Sequence, residues 1–144
     1  MLAAPVLAAC STNFNTPTDQ DYIPAAGISD RSGNVDVLNA LVVTGSDGSG
    51  TVVTTLVNNT ATNDRLTAVT VDGQATTLGT EADTEIPATG TLKLPEQAEV
   101  FATGANLKPG SYVSVSFTFA NAEAVTVSVP LFKNEGDYAS IPVK

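Results

Sequence analysis

The sequence has no histidine and no tryptophan, and its 144 residues include one cysteine, Cys10, and one methionine, Met1. Without histidine there can be no Ser-His-Asp triad, no Cys-His pair, no histidine general base and no imidazole metal ligand. A single cysteine cannot form a disulfide within the chain. These absences remove the commonest forms of nucleophilic and transition-metal catalysis from consideration.

Basic residues are also scarce. Lysine and arginine number 6 against 15 aspartate and glutamate residues, so the formal net charge is -9. Because nucleic-acid affinity rests on basic side chains that neutralise phosphates, this charge argues against a nucleic-acid partner. It also argues against docking on anionic lipid by charge alone. With 42% hydrophobic and 15% charged residues, the composition is instead that of one folded domain.

The first nine residues are apolar and uncharged, and they lead directly into Cys10. The sequence Leu7-Ala8-Ala9-Cys10 resembles a bacterial lipobox, in which a peptidase cuts before a cysteine that carries acyl chains. We therefore expect residues 1–9 to be the remnant of a lipoprotein signal peptide and Cys10 to be the lipidation site. The alternative is that Cys10 is a chance cysteine in an apolar tail. Lipidation would hold the protein at the outer face of the plasma membrane, in a periplasm-like space.

Residues 10–33 are polar, contain several breakers and show no strand or helix period, so we interpret them as the lipidated cysteine and its tether. From residue 34 the pattern changes to period two, with turn sequences roughly every ten residues. The clearest strand is Tyr112–Phe119, whose alternate apolar positions are Val113, Val115, Phe117 and Phe119. We predict an all-β domain over residues 34–133, a single antiparallel β-sandwich of seven to nine short strands, followed by an irregular tail at 134–144.

Metal and catalytic chemistry find little support in the remaining residues. Soft copper sites use imidazole, thioether or thiolate ligands, and a chain without its leader would retain only the sulfur of Cys10. Glu81, Asp83 and Glu85 alternate and could hold a hard cation, but a solvated acidic edge is the favoured interpretation. No Ser-x-x-Lys arrangement occurs, and Asn58-Asn59-Thr60 is interpreted as a turn rather than a glycosylation site. We therefore predict no catalytic residues, no metal and no cofactor.

Several segments together resemble the periplasmic copper chaperone superfamily PCu(A)C over roughly residues 34–132. They are an Asn-rich turn leading into Asp64-Arg65-Leu66, the hairpin Ile86-Pro87-Ala88-Thr89-Gly90, and Leu107-Lys108-Pro109-Gly110 ahead of the last two strands. The resemblance implies a cupredoxin-like or immunoglobulin-like Greek-key sandwich. It also implies a copper site of two histidines and two methionines, with one histidine near residues 74–78 and a His-x-Met pair near residues 97–102. None of these ligands is present in either stretch.

A lipobox, a polar tether and a domain of this kind without copper ligands together resemble the LpqE-type lipoproteins of actinobacteria. The resemblance implies a membrane protein complex as the partner, and the bcc-aa3 respiratory supercomplex is the one it suggests. The hypothesis is therefore a non-enzymatic interaction or accessory module. Three alternatives stay open: a copper-handling chaperone-like protein that uses carboxylates or a partner's ligands, a carboxylate enzyme such as a carbohydrate hydrolase, and a small-molecule binder with its pocket between the sheets.

Overall fold

The computed structural model describes residues 26–80, 82–103 and 107–144. Within these ranges no α-helix is present, and the predicted all-β sandwich is confirmed. The described elements are eleven strands and one 3-10 helix: β1 (Ile28–Asp30), β2 (Val35–Thr44), β3 (Ser49–Asn58), β4 (Asp64–Val71), β5 (Gln74–Ala75), β6 (Thr77–Leu78), β7 (Glu85–Ile86), β8 (Thr91–Leu94), β9 (Val100–Thr103), β10 (Tyr112–Phe119), β11 (Val125–Lys133) and the helix Gly136–Tyr138.

Strand β11 joins the two layers of the sandwich. Its first six residues pair antiparallel with β10, from Val125 opposite Phe117 to Pro130 opposite Tyr112. Its last three residues pair parallel with β2 instead. The resulting strand order is β5-β4-β10-β11-β2-β3-β9-β6, with β1, β7 and β8 attached to β2, β4 and β3. The predicted antiparallel arrangement therefore holds for every described pair except β2 with β11.

The core lies between the two layers and is built mainly from valine and leucine. The predicted alternation in β10 is confirmed, since its four apolar positions are buried and the serines and threonines between them face outward. Branched aliphatic side chains suit this pleated, half-buried environment. The most buried core residues include Val37, Val42, Leu56, Leu66, Ile86, Leu92, Val100, Val115, Phe117 and Val129.

A β-bulge at Asn39 changes the direction of β2 and ties the chain before it to the sandwich. Asn39 has a φ of 52°, and one extra residue of β2 lies between the pairs formed by Leu38 and Leu41. The Gly27 N–H donates to Asn39 Oδ1 at 2.7 Å, and the Asn39 N–H donates to Ser29 Oγ at 2.9 Å. Strand β1 therefore lies inside the predicted tether. Its three residues are too few to show a period in the sequence.

The last eleven residues, 134–144, were expected to be irregular, but they contain a short 3-10 helix and fold back on the domain. We call them the C-terminal segment. The side-chain Nδ2 of Asn134 donates to the carbonyl oxygens of Tyr138 at 2.9 Å and Ile141 at 2.8 Å. These two bonds close the segment into a compact loop. Its polar sequence carries no period that would have indicated this.

The Asn-rich turn is held by two buried polar side chains. Asn58 is 1% exposed, and its Nδ2 donates to the carbonyl oxygens of Thr62 and Ile86 at 2.8 and 3.2 Å. A buried amide engaged in this way cannot present itself for glycosylation, which supports its interpretation as a turn residue. The carboxylate of Asp64 accepts from the N–H groups of Asn121 at 2.9 Å and Ala122 at 2.8 Å.

We expect Asp64→Ala to lower the free energy of unfolding by about 1–3 kcal/mol at neutral pH, because the partly buried backbone N–H groups of Asn121 and Ala122 lose their charged acceptor. Burial raises the pKa of Asp64, but the backbone N–H donors of Arg65, Ala122 and Asn121 outweigh it and the pKa lies below 3.8. The stabilisation by the Asp64 carboxylate is therefore fully present above about pH 3.8, and it is lost as the pH falls through the lowered pKa of the folded protein.

Urea denaturation of both proteins from pH 7 to pH 2 tests this prediction. Glu123→Ala is the matched control, because it removes one carboxylate from an exposed position in the same turn. We expect the control to stay close to wild type across the series. An Asp64→Ala protein as stable as the control at pH 7 would contradict the assignment.

Candidate functional site

The structure brings together the two stretches in which the sequence resemblance places a metal site. Strand β6 pairs antiparallel with β9, so Thr77 lies opposite Phe101 and Leu78 lies opposite Val100. The turn before β6 is held by Thr76, whose N–H and hydroxyl donate to the Val69 carbonyl at 3.2 and 2.8 Å. The framework of the site is therefore assembled by pairing between strands that are distant in sequence.

The side chains at this framework are not metal ligands. Val100 is completely buried, while Thr77 and Leu78 are exposed. The amide of Gln97 is already used, since its Oε1 accepts from the Lys93 N–H at 2.9 Å. Within the residues that the structure describes, no group of three histidine, cysteine, aspartate or glutamate side chains could hold a metal ion. The residues present at this position do not fit a copper ion.

The face of β9 that carries Phe101 belongs to a single row of paired residues that crosses five strands. Phe132 lies opposite Val43, Val43 opposite Thr51, Thr51 opposite Phe101, and Phe101 opposite Thr77. Directly opposed residues in a sheet point to the same side. Val43 is fully buried but does not belong to the central core, so this outer side is also covered. We call these five residues the outer row.

The C-terminal segment covers the outer row through three kinds of contact. The rings of Tyr138 and Phe132 stack with centroids 5.2 Å apart. The hydroxyl of Thr51 donates to the carbonyl oxygen of Pro142. Such contacts combine apolar burial with satisfaction of a backbone acceptor. The segment is therefore a docked part of the domain and extends from β11 towards β9.

The third contact places a positive charge beside the candidate site. The Lys144 Nζ lies 4.9 Å from the centroid of the Phe101 ring, within the range of a cation–π interaction. An ammonium group held over this ring repels a second cation at the same place. The face of β9 that Phe101 presents is thus electrostatically unfavourable to a metal ion, in addition to lacking ligands there.

The acidic residues considered in the sequence have structural contacts instead. Asp83 accepts from the Glu85 N–H at 3.1 Å, and Glu85 lies 3.8 Å from the guanidinium of Arg65. A further carboxylate, that of Asp47 in the turn at residues 45–49, accepts from the Ser49 hydroxyl at 2.6 Å. The hydrogen bonds from Ser49 lower the pKa of Asp47. Glu81 and Cys10 lie outside the described residues. The favoured interpretation of a solvated acidic edge fits Asp83 and Glu85.

One cluster that sequence analysis did not identify is a group of lysines. Lys108, Lys133 and Lys144 line a cleft of about 710 Å³ beside the turn at residues 45–49. The three lie in different segments of the sequence, and no local motif relates them. Only the return of β11 and of the C-terminal segment to this end of the sandwich brings them together.

Among the described residues, no helix has the length and apolarity needed to cross a membrane.

Comparison with known proteins agrees with this geometry. The family described as "Putative lipoprotein LpqE-like" matches residues 35–131. The chain has no significant match among curated proteins.

Solved structures share the fold. The structure described as "Copper-bound PCuAC domain from PmoF2" aligns with a TM-score of 0.63 and 16% identity, over 74% of this chain and 98% of that one. The "Apo PCuAC domain from PmoF1" aligns with a TM-score of 0.63 and 20% identity, over 74% and 99%. At such identities the likeness establishes the fold, and the predicted PCu(A)C-like sandwich is confirmed.

We expect Tyr138→Ala to lower the free energy of unfolding by about 1–2 kcal/mol, because it removes a half-buried ring that stacks on Phe132. Burial raises the pKa of Tyr138, and the Asp137 carboxylate adds to the effect. The stabilisation should therefore be full below pH 10.0 and decline at higher pH. Thermal unfolding measures both effects. Tyr112→Ala is the control, since Tyr112 is 66% exposed; equal losses in the two variants would contradict docking of the segment.

Proposed function

Because the chain belongs to the LpqE-like family, we propose that it is a non-enzymatic, lipid-anchored envelope protein that acts as an interaction or accessory module. One observation carries this proposal. Strands β6 and β9 pair where the resemblance places a copper site, yet the positions there are taken by Thr77, Leu78, Val100 and Phe101. A domain that keeps this scaffold without metal donors is suited to binding other proteins.

Attachment through acylated Cys10 follows from the lipobox-like sequence and agrees with the lipoprotein description of the family. The 18 positions from Cys10 to Ile28 allow a reach of at most about 60 Å. Confinement to a membrane surface raises the effective concentration of the domain near membrane proteins. An anchored module can therefore use a weak interface and still remain bound to its partner.

The partner that we propose is a membrane respiratory complex, the bcc-aa3 supercomplex. This choice rests on the resemblance to LpqE-type lipoproteins. The described domain is compatible with a protein-binding role, since the carboxylates that could act in catalysis are engaged in structural contacts. The buried carboxylate of Asp64 serves the backbone of a turn, and Asp83 and Glu85 are engaged at an edge.

Affinity purification from mild-detergent membranes, followed by mass spectrometry, tests the partner. We expect the tagged wild-type protein to recover respiratory subunits. The Cys10→Ser variant should recover at least about tenfold less of them, because it is no longer concentrated at the membrane surface. Mass spectrometry of the N-terminal peptide tests the anchor separately. A wild-type protein without acyl chains on Cys10 would contradict lipidation, and a wild type that never recovers respiratory proteins would contradict the partner.

The second candidate is a copper-handling role, which the likeness to a copper-bound PCuAC domain favours. We expect the isolated Cys10→Ser chain to bind no Cu(I) stoichiometrically, because its described residues lack a soft ligand set. Competition with a chromogenic Cu(I) chelator measures this, and the wild-type chain controls for binding by the thiol. Tight binding that survives the loss of Cys10 would favour the copper role over the accessory role.

A further inference from the structure

The lysine cleft is a concave site that the proposed function does not use. We define it by Lys108, Lys133 and Lys144, which line a cleft of about 710 Å³ together with the turn at 45–49 and the apolar residue Pro109. This volume lies within the range of small-molecule sites in proteins. The cleft therefore has room for an organic ligand rather than a single ion.

The charge in the cleft is opposite to that of the protein. Three of the six basic residues line it, while the whole chain has a net charge of -9. Among the described residues that line the cleft, Asp47 is the one with a side-chain carboxylate, and it is engaged by the N–H and hydroxyl of Ser49 at 3.0 and 2.6 Å. Since the protein as a whole repels anions, any anion that binds must be drawn by this local cluster.

The three lysines are placed by the fold in different ways. The carbonyl oxygen of Lys108 accepts from the Ser111 N–H at 3.3 Å and hydroxyl at 2.7 Å, which fixes its turn. Lys144 is held over the Phe101 ring. Lys133 contacts Glu135 in a pair whose members are 62% and 65% exposed, and such pairs are weak enough to yield to a ligand.

We propose that the lysine cleft binds a phosphate-bearing organic anion, with ammonium groups contacting the phosphate oxygens and the exposed ring of Pro109 contacting its carbon skeleton. Lysine is a common phosphate ligand because its compact ammonium offers three donors to several oxygens at once. The same chemistry is found in a free organic phosphate and in a phospholipid headgroup. Binding at this site does not require the lipid anchor or a protein partner. The cleft and the proposed function are therefore tested independently of each other.

Titration of the full chain with glycerol 3-phosphate, followed by amide NMR, tests the site. We expect saturable shifts at residues 45–49 and 107–109. Lys108→Gln with Lys133→Gln should weaken binding about tenfold, as expected from losing two exposed charge contacts. This pair of changes leaves Lys144 and the docked segment in place. Lys93→Gln is the matched control, because Lys93 is an exposed lysine outside the cleft, and binding should change less than twofold.

Two further arms identify the source of the phosphate. If the Cys10→Ser chain sediments with phosphatidylglycerol vesicles but not with phosphatidylcholine vesicles, and the double variant does not, the ligand is an anionic headgroup. If glycerol 3-phosphate binds and vesicles do not, it is a soluble organic phosphate. No binding of either probe at millimolar concentration would overturn the proposal. Equal weakening by Lys93→Gln and by the double variant would also overturn it.

Discussion

The change of partner within β11 is the constraint on which the rest of the structure depends. The strand leaves β10 after Pro130 and pairs with β2 from Leu131 onwards. Proline has no N–H to donate, and within sheets it occurs at edges and irregularities. Because one strand belongs to both layers, the layers are joined over a common core, and the segment after β11 is delivered to the outer side of the second layer.

This path of the chain after β11 explains why the C-terminal segment contacts β9, where the resemblance places a metal site. The outer row runs from Phe132 in β11 through Phe101 in β9 to Thr77 in β6, and the segment contacts both Phe132 and Phe101. At Phe132 an aromatic stack adds apolar burial, and at Phe101 an ammonium group lies over the ring. The face of β9 that shares a scaffold with copper-binding domains is therefore occupied by the protein's own chain.

A fold shared with a copper-bound domain does not carry the chemistry of that domain, because metal affinity resides in donor atoms. Here the two stretches meet in space, but valine, leucine, threonine and phenylalanine side chains offer no donor that suits Cu(I). What remains is a small sandwich in a chain of net negative charge, with a locally basic cleft among its described residues. Binding is the chemistry that such an inventory supports best.

Much of the fold could be predicted because it follows from local patterns. The alternation in β10 identifies this strand and its buried face, and the strand bounds Tyr112–Phe119 match the prediction. β1 could not be predicted, since three residues with half-exposed side chains show no period. Its placement depends instead on the bulge at Asn39, which lies in another strand.

The sequence by itself determined the all-β class, the apolar faces of the long strands and the absence of imidazole and thioether ligands, because these depend only on residue type and spacing. The tertiary structure alone decided the parallel pairing of β2 with β11, the docking of Tyr138 on Phe132 and the gathering of three lysines around one cleft. Periodicity tells which side of a strand is buried. It does not tell which distant segment covers that side, because that choice depends on how the whole chain packs.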